Sequence, residues 1–365
     1  RGHLIDFEQY VERQLNPGPW KMRHKYPDPW DMPAGTPVRG FSYFSSFGCP
    51  EPCTFCCSPL VTNRRWKALS AQTLVNRLEA LKAVHDFDVV RFQDANFGVH
   101  EKRVKEFCQE LINRKMNIHW NATIEVETIV RYSDETLDLM RDSGCHMMWV
   151  GAETASEGMQ ENIKKGIQQG NVDRSMRRMW ERDIKIGLFW IIGFPNETQE
   201  DMRATLTLAA EMKTRYPNCT SEVLLYRPLP GTEAGAAAEA LGYRMPVAFD
   251  TWGSMIEYKF GNKTFELLPD DIKRDYHRYT YLVPWFDGLV KGRSPYHAFL
   301  RRMAGLRLRR NWYALPVEFK VYDLSRRLMH SMGINRGPTL EKRASGVSVE
   351  GTTHNVRDAE ALSAK

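Results

Sequence analysis

A regular alternation of short apolar segments and longer amphipathic segments, from about residue 40 to residue 231, constrains the fold of this chain most strongly. The short segments have the composition of buried strands, and the longer ones carry apolar residues three and four positions apart, as helices do. The predicted strands cover residues 40–47, 88–92, 118–124, 146–150, 184–192 and 221–226. The predicted helices between them cover residues 69–86, 101–116, 133–140, 172–182 and 198–215. This order predicts an α/β protein with a parallel sheet, either an open barrel or a doubly wound sheet.

Polar residues mark the starts of several predicted helices. Ser70 and Ser133 stand directly before amphipathic segments, where a side-chain hydroxyl accepts a hydrogen bond from a backbone N–H of the first turn. Thr198 and Asp201 have the spacing of a capping box, in which two such bonds are exchanged. We therefore expect these helices to begin just after the named residues.

The composition excludes several classes of protein. Hydrophobic residues make up 42% of the 365 residues and charged residues 26%, which is the balance of a globular chain with a sizeable core. No run of eighteen apolar residues exists, so no membrane span is predicted. The first residues lack the apolar stretch of a signal peptide. The chain starts at Arg1 rather than Met, so we expect that an upstream segment belongs to the same protein.

Composition also divides the chain into four predicted parts. Residues 1–39 are rich in Pro, Trp and charge and are predicted to be an irregular lead-in. Residues 40–235 form the predicted sheet domain, 236–337 a mostly helical extension and 338–365 a disordered tail. Residues 291–365 hold 15 basic and 6 acidic residues, so the basic excess of the whole chain is confined there. This basic segment is either a solvated end or a docking surface for an anionic partner.

The cysteines indicate a metal site. Seven are present, an odd number, and four of them, Cys49, Cys53, Cys56 and Cys57, fall within nine residues. A disulfide framework would spread them along the chain, whereas clustered thiols in a reducing compartment such as the cytoplasm favour a metal. The four cysteines follow the first predicted strand, at the carboxyl end of the sheet, where the sites of parallel α/β proteins form.

The spacing C-x3-C-x2-C is compatible with three kinds of site. Three thiolates on one tight loop can hold three corners of a 4Fe-4S cluster and leave the fourth iron open to a small molecule. A structural zinc site would need Cys57 as its fourth ligand, and the adjacent Cys56 and Cys57 cannot readily share one tetrahedral ion. A thioredoxin-like redox pair would use Cys53 and Cys56 and would leave Cys49 unexplained.

With Phe55 before the last cysteine, the segment resembles the C-x3-C-x-aromatic-C signature of the radical S-adenosylmethionine (SAM) superfamily. The resemblance implies a partial (βα)6 TIM-like barrel followed by a C-terminal, mostly helical extension. It implies that Cys49, Cys53 and Cys56 ligate a 4Fe-4S cluster whose open iron binds the amino and carboxylate groups of SAM. It further implies that Phe55 packs near the adenine, and that SAM is cleaved reductively to a 5′-deoxyadenosyl radical.

Other motifs of the superfamily have partial counterparts here. Members often carry Gly-Gly-Glu after the second strand; this chain has Asp94 there, a carboxylate that either receives the SAM amino group or only caps the loop. Gly151-x-Glu153 resembles the Gly-x-Glu variant, which implies that Glu153 accepts the ribose hydroxyls or the SAM ammonium. Gly193-x-Pro195 resembles the turn that approaches the adenine.

Further residues are assigned from their position. Cys57 is outside the signature and is predicted to be a buried structural thiol. Lys164 and Lys165 lie where relatives often place a lysine, but solvated surface is the predicted environment of both. Side chains near the ends of the remaining strands would face a substrate in such a barrel. These substrate candidates are Trp120, Asn121, Glu125, Trp190, Tyr226 and Arg227.

Segments outside the cysteine motif indicate a branch of the superfamily. Residues 4–10 (LIDFEQY) and 92–97 (FQDANF), with the long helical tail, resemble cobalamin-dependent radical SAM enzymes. In those enzymes an upstream Rossmann-like domain holds the cobalamin. The resemblance implies methylation of an unreactive carbon or phosphorus centre, with radical cyclisation or rearrangement as the alternative. It also implies a small-molecule substrate, a cobalamin-binding domain that is upstream or separate, and a flavodoxin-type reductase as electron donor.

Two rival functions belong to other classes. An RNA-modifying radical SAM enzyme is favoured by the basic stretch 301–310, but no recognisable RNA-binding module follows the barrel, so a nucleic-acid partner is not expected. A non-enzymatic iron–sulfur or zinc protein would use the same cysteines without cleaving SAM.

Overall fold

The computed structural model describes residues 40–85, 87–168, 170–246, 263–290 and 294–331. Its strands are β1 (Gly40–Tyr43), β2 (Ser46–Phe47), β3 (Lys67–Ala68), β4 (Val89–Phe92), β5 (His119–Ile124), β6 (Cys145–Glu153), β7 (Lys185–Ile192) and β8 (Thr220–Leu225). The helices between and directly after them are α1 (Ser58–Thr62), α2 (Ala71–Val84), α3 (Glu101–Asn113), α4 (Val126–Arg131), α5 (Asp134–Asp142), α6 (Glu157–Asn162), α7 (Asn171–Trp180), α8 (Gln199–Arg215) and α9 (Glu233–Ala240). The last described helices are α10 (Lys263–Leu267), α11 (Asp270–Phe286), α12 (Pro295–Arg309) and α13 (Val317–Ser331).

The main sheet has six strands in the order β1-β4-β5-β6-β7-β8. Each of the first four strands in this order runs parallel to the next. The spatial order follows the chain order, so right-handed crossovers place the connecting helices on one face and curve the sheet into a partial barrel. A doubly wound sheet would reverse its order partway, so this alternative is excluded. The predicted partial TIM-like barrel with a helical C-terminal region is confirmed.

The predicted helix starts are confirmed in detail. The hydroxyl of Ser70 accepts a hydrogen bond from the backbone N–H of Thr73, and Ser133 caps α5 in the same way. Thr198 and Asp201 form the complete capping box that begins α8. The helices α1, α4 and α6 were not predicted, because five or six residues are too few to show a helical period.

One predicted strand was too long. The first strand ends at Tyr43, and Ser46–Phe47 leave the barrel to pair antiparallel with Lys67–Ala68. This small two-stranded ribbon leads directly into the cysteine loop. The predicted lead-in 1–39 and the predicted tail 338–365 lie outside the described residues.

The two faces of the sheet differ chemically. Phe92 of β4 and Trp120 of β5 pack with Phe97 and with Phe107 of α3, so this face is the apolar core beneath the helices. Side chains alternate along a strand, so neighbours of these residues, such as Arg91, project from the opposite, inner face of the barrel. The inner face of the sheet therefore carries polar and aromatic groups, whereas the outer face is apolar.

The chain divides into two compact units. The first extends to Met245 except for Leu225–Arg227, and the second comprises those three residues and everything from Pro246 onward. Within the described residues, no helix combines the length and the apolarity that crossing a bilayer requires.

The second unit has its own core and its own buried cation. Trp285 of α11 packs against Phe319 and Tyr322 of α13. Arg307, part of the predicted basic stretch, has a 2% exposed side chain and pairs with Glu318 at 2.5 Å. Its guanidinium also donates to three backbone carbonyls that follow α12. Arg307 is thus a structural residue, and the basic stretch is not a continuous exposed surface.

Candidate active site

The three motif cysteines lie on the loop between β2 and α1. Cys49 and Cys53 are 8% and 7% exposed, and Cys56 is half-buried. Cys57 is exposed, so its predicted burial was wrong. It stands directly before α1, at the N-cap position of that helix.

Backbone contacts fix the position of this loop. Its first residue, Gly48, has a φ of +89°, and a Cβ there would lie 2.0 Å from the carbonyl oxygen of Arg65, so only glycine fits. The backbone N–H of Thr54 donates to the carbonyl of Ile163 at 3.0 Å, after α6. The N–H of Ala234 in α9 donates to the carbonyl of Thr54 at 3.1 Å. The loop is therefore held between two helices of the first unit.

The chemistry of the three thiols suits a shared iron–sulfur cluster. Burial raises the pKa of Cys53 to about 12, whereas the nearby ammonium of Lys165 lowers it. Burial also raises the pKa of Cys49 and Cys56, and the N–H of Ser58 donates to the Cys56 sulfur at 3.4 Å. Such thiols are inert until a metal takes the place of their protons.

The arrangement of donors favours a cluster over zinc. In the part of the chain that the structure describes, no three His, Cys, Asp or Glu side chains converge on one ion. A zinc ion needs four donors at about 2.0–2.3 Å from a single point. A 4Fe-4S cluster instead takes each cysteine on a separate iron. Three buried or half-buried thiols with Cys57 turned to solvent fit a cluster that leaves one iron without a protein ligand.

A buried charged triad lies beside the cysteine loop. The ammonium of Lys165 is 2.7 Å from Glu125 Oε2 and 3.2 Å from Glu153 Oε1, and the lysine side chain is only 6% exposed. The prediction of a solvated Lys165 was wrong. Its neighbour Lys164 is 49% exposed, as predicted, and pairs with Glu233. Lys164 has a φ of +53°, so the chain turns sharply between the lysines and directs only one of them inward.

A glycine makes room for this triad. The pairing of β6 with β7 shifts between Gly151 and Glu153, and Glu153 has a left-handed φ of +61°. A Cβ on Gly151 would lie 2.0 Å from Glu153 Oε1 and 3.3 Å from Lys165 Nζ. Glycine at this position of the Gly-x-Glu motif therefore lets the carboxylate fold back towards the lysine.

The triad places two carboxyl groups against one ammonium. Burial lowers the pKa of Lys165, but Glu153 and Glu125 outweigh it, so the pKa is raised and the ammonium stays charged. Burial raises the pKa of Glu153, Lys165 opposes this and Glu125 adds to it. The site therefore holds one firm cation and favours a further cation or hydrogen-bond donor beside its carboxylates.

An aromatic pair joins the cysteine loop to the end of β7. The rings of Phe55 and Phe194 are 5.5 Å apart in an edge-to-face arrangement. Phe194 stands between Gly193, whose φ is +87°, and the half-buried Pro195. The N–H groups of Gly193 and Phe194 donate to Glu197 Oε2 at 2.5 and 3.0 Å. The structure thus brings together three residues predicted to lie near the adenine: Phe55, Gly193 and Pro195.

Asp94 makes the contacts of the second of its two predicted roles, which is to cap the loop. It is 2% exposed, its Oδ1 accepts the N–H of Ser45 at 2.7 Å, and its Oδ2 accepts the hydroxyls of Ser45 and Ser46. Arg103 donates to the same Ser45 hydroxyl at 2.7 Å. Both carboxylate oxygens are engaged in holding the segment between β1 and β2, so Asp94 supports the cysteine loop instead of facing SAM.

Two predicted substrate contacts belong to the outer core. Trp120 and Trp190 are fully buried, and their indole N–H groups donate to the hydroxyls of Ser143 and Ser221 at 3.2 and 2.9 Å. Trp120 packs on the helix side of the sheet, and Ser221 bonds to a carbonyl of α8. Neither tryptophan faces the barrel interior. Successive side chains of a strand point to opposite faces of the sheet, and both tryptophans stand at positions that point to the outer face.

The remaining substrate candidates separate into three groups. Asn121 is fully buried on the inner face, next to Arg91 in register. Glu125 belongs to the triad. Tyr226 and Arg227 lie in the second unit, where the carbonyl of Tyr226 accepts the hydroxyl of Thr264.

Comparison with known proteins places this geometry in a family. Residues 43–209 match the sequence profile of the Radical SAM superfamily. The chain is 28% identical over 271 residues to an uncharacterised methyltransferase of Pyrococcus horikoshii, which covers 74% of this chain and 57% of that protein. It is 27% identical over 183 residues to the anaerobic magnesium-protoporphyrin IX monomethyl ester cyclase of Rubrivivax gelatinosus. This match covers 50% of this chain and 32% of that protein. The chain spans about a third to three fifths of the length of these relatives.

The fold has a counterpart among solved structures. The radical SAM methyltransferase TsrM from Kitasatospora setae, solved with cobalamin and a 4Fe-4S cluster bound, superimposes with a TM-score of 0.50 at 16% identity. The match covers 74% of this chain and 61% of that one. The matched profile contains the cysteine loop, the triad and the aromatic pair. Residues 43–209 therefore form a radical SAM domain, and proteins with this domain bind a 4Fe-4S cluster and SAM.

Proposed function

We propose that this chain is the catalytic part of a cobalamin-dependent radical SAM methyltransferase that acts on an unreactive carbon or phosphorus centre of a small molecule. The observation that carries the proposal is the three-thiol loop beside the buried Glu125–Lys165–Glu153 triad. When bound, the cluster supplies the electron that cleaves SAM to a 5′-deoxyadenosyl radical. The protein's own residues position SAM and exclude water from it.

The triad and the aromatic pair divide the binding of SAM. Glu153 and Glu125 accept hydrogen bonds from the SAM ammonium or ribose hydroxyls, since Lys165 engages only one oxygen of each. Lys165 holds both carboxylates in place and stabilises the thiolate form of Cys53. The edge-to-face pair of Phe55 and Phe194 offers an apolar wall for the adenine.

The relatives support the methyl-transfer outcome and the use of cobalamin. The Pyrococcus horikoshii relative is named a methyltransferase, and the TsrM structure contains cobalamin. We assign the cobalamin to an upstream or separate domain and the electron supply to a flavodoxin-type reductase. The seven free cysteines suit a reducing compartment such as the cytoplasm.

A second candidate is a radical cyclase. The relative of Rubrivivax gelatinosus that is named a cyclase favours it. Both candidates share SAM cleavage and differ in what happens to the substrate radical. Incubation with methyl-deuterated SAM, reductant, cobalamin and a small-molecule cell extract separates them. A product that gains the labelled methyl group supports methyl transfer, whereas a product that loses hydrogen without label supports cyclisation.

Anaerobic reconstitution with iron and sulfide tests the radical SAM chemistry itself. We expect the Ala variants of Cys49, Cys53 and Cys56 to lose the cluster absorption and the formation of 5′-deoxyadenosine from SAM and reductant. The matched control is Cys57→Ala, which should keep both, because Cys57 is solvent-exposed. A protein that holds a cluster but never forms 5′-deoxyadenosine would refute the enzyme proposal and favour the non-enzymatic alternative.

A further inference from the structure

An arginine without a charged partner lies on the inner face of the barrel. Arg91 of β4 is half-buried, and its guanidinium carbon lies 5.7 Å from the ring centre of Trp149. Among the residues that the structure describes, no hydrogen bond or ion pair engages the Arg91 guanidinium. Burial lowers its pKa, and no nearby carboxylate opposes the shift. An arginine in such surroundings is poised for an anion supplied by a ligand.

Asn121 adds a second group that lacks a partner. It is the register partner of Arg91 on β5 and is fully buried. Neither its amide nitrogen nor its amide oxygen makes a hydrogen bond within the described chain. Buried amides are nearly always hydrogen-bonded, because an unpaired one loses its water without compensation. A ligand with an acceptor atom at this position would pair with the Asn121 NH2 group.

Trp149 contributes a third donor and an apolar wall. Its indole N–H is buried and makes no hydrogen bond within the described chain. Its ring stacks on Phe189 with the ring centres 5.3 Å apart and a tilt of 15°. A Cβ on Gly187 would lie 2.3 Å from the indole, so this glycine allows the ring to lie flat on β7. The stack keeps water from the polar groups beside it.

We propose that these residues form the substrate anchor of the barrel, a receptor for an oxyanion carried by the substrate as a carboxylate or a phosphate. Guanidinium, amide NH2 and indole N–H are all donors, and their placement on the same inner face of the sheet favours an acceptor with negative charge. A cationic group is disfavoured there, because Arg91 would repel it. This assignment names the substrate class of the proposed function and rests on that function.

The depth of the anchor orients the substrate. Asn121 precedes Glu125 of the triad by four residues, which is about 13 Å along an extended strand. The oxyanion is therefore held deep in the barrel, and the rest of the molecule extends towards the triad and the cysteine loop. The reacting centre lies between the anchor and SAM.

Calorimetry on the full chain with three simple probes tests the anchor. Phenylacetate and phenyl phosphate carry the two oxyanions, and 2-phenylethanol is a neutral molecule of similar shape. We expect the preferred anion to bind at least tenfold more tightly than the alcohol. Arg91→Gln should weaken the binding of the anions by roughly ten- to hundredfold and leave the affinity for the alcohol unchanged. The surface variant Arg77→Gln, which removes the same charge from the exposed side of α2, should change neither.

Further variants separate binding from folding. Arg91→Lys keeps the charge and should retain part of the anion preference. Trp149→Phe keeps an aromatic ring but removes the N–H donor, so it should weaken the binding of the anions more than that of the alcohol. Melting temperatures identify any variant that fails to fold. Equal affinity of the wild type for the anions and the alcohol overturns the anchor, as does unchanged anion binding by folded Arg91→Gln. Wild-type formation of 5′-deoxyadenosine is measured in parallel, so its absence refutes the proposed function independently of the anchor.

Discussion

At the scale of the residue, two adjacent lysines occupy opposite environments. Lys165 lies buried between two carboxylates, whereas Lys164 pairs with Glu233 at the surface. Removing one partner of a buried ion pair leaves an uncompensated charge, so we expect Lys165→Ala to lower the free energy of unfolding by about 3–5 kcal/mol. We expect it also to weaken SAM binding. Urea denaturation and calorimetric titration with SAM measure the two effects.

Lys164→Ala is the matched control. An exposed ion pair contributes about 0–1 kcal/mol, so the control should stay within that range of the wild type and bind SAM normally. Equal stability of the two alanine variants would contradict the assignment of Lys165 to a buried triad.

We expect the ionisation of the buried Glu197 to make the free energy of unfolding depend on pH. Burial raises its pKa from 4.5 to about 8, against the N–H groups of Phe194 and Gly193, which lower it. The folded state therefore binds this proton more tightly than the unfolded state. Its stabilising effect is complete below about pH 4.5 and is lost as the pH rises towards about 8. Glu197→Gln keeps an amide oxygen for the two N–H groups and has no carboxyl to ionise.

We expect Glu197→Gln to be more stable than the wild type at about pH 9 by on the order of 2 kcal/mol, and similar to it near pH 5. Urea denaturation across this range measures the difference. The exposed neighbour Glu200 supplies the control, since Glu200→Gln should show no such trend. A pH-independent difference for Glu197→Gln would show that the carboxyl is already ionised in the folded state.

At the scale of the element, the irregular end of β6 shapes the site. A Cβ at Gly151 would collide with the Glu153 carboxylate, so we expect Gly151→Ala to cost about 1–3 kcal/mol of stability and to weaken SAM binding. Gly158 in α6 has only the Ser156 hydroxyl at 4.0 Å, so Gly158→Ala should be neutral or stabilising by up to about 1 kcal/mol. Thermal denaturation and SAM titration compare the pair. Normal SAM affinity in Gly151→Ala would separate this glycine from the cofactor site.

The elements that could be predicted are those with local signals. The caps at Ser70, Ser133 and Thr198 depend on contacts within four residues, and the sequence displays them directly. The short helix α4 after β5 has no such signal, yet it begins directly after Glu125 of the triad. The inner or outer direction of Trp120 and Trp190 was mistaken, because a shift of one residue in a strand exchanges its faces.

At the scale of the whole molecule, the buried Arg307 divides the basic stretch 301–310, which counts against an RNA-binding surface there. The guanidinium of Arg307 pairs with Glu318 and donates to three backbone carbonyls, so the exposed positive charge of the stretch 301–310 is interrupted there. We expect tRNA to bind only non-specifically, with a Kd in the range of about 1–100 μM at physiological salt. Filter binding over a salt series measures this. Nanomolar binding with a steep dependence on salt would revive the RNA-modifying alternative.

The sequence by itself determined the order of strands and helices, the cysteine spacing and the family, because each of these resides in contiguous residues. Only the tertiary structure decided that Lys165 is buried, that Asp94 supports a loop, and that Arg91, Asn121 and Trp149 share one face. These groups come from separate strands and loops, and no local pattern records which of them the partial barrel brings together. Burial then alters their chemistry, since a charge or an amide removed from water must find its partner inside the fold or in a ligand.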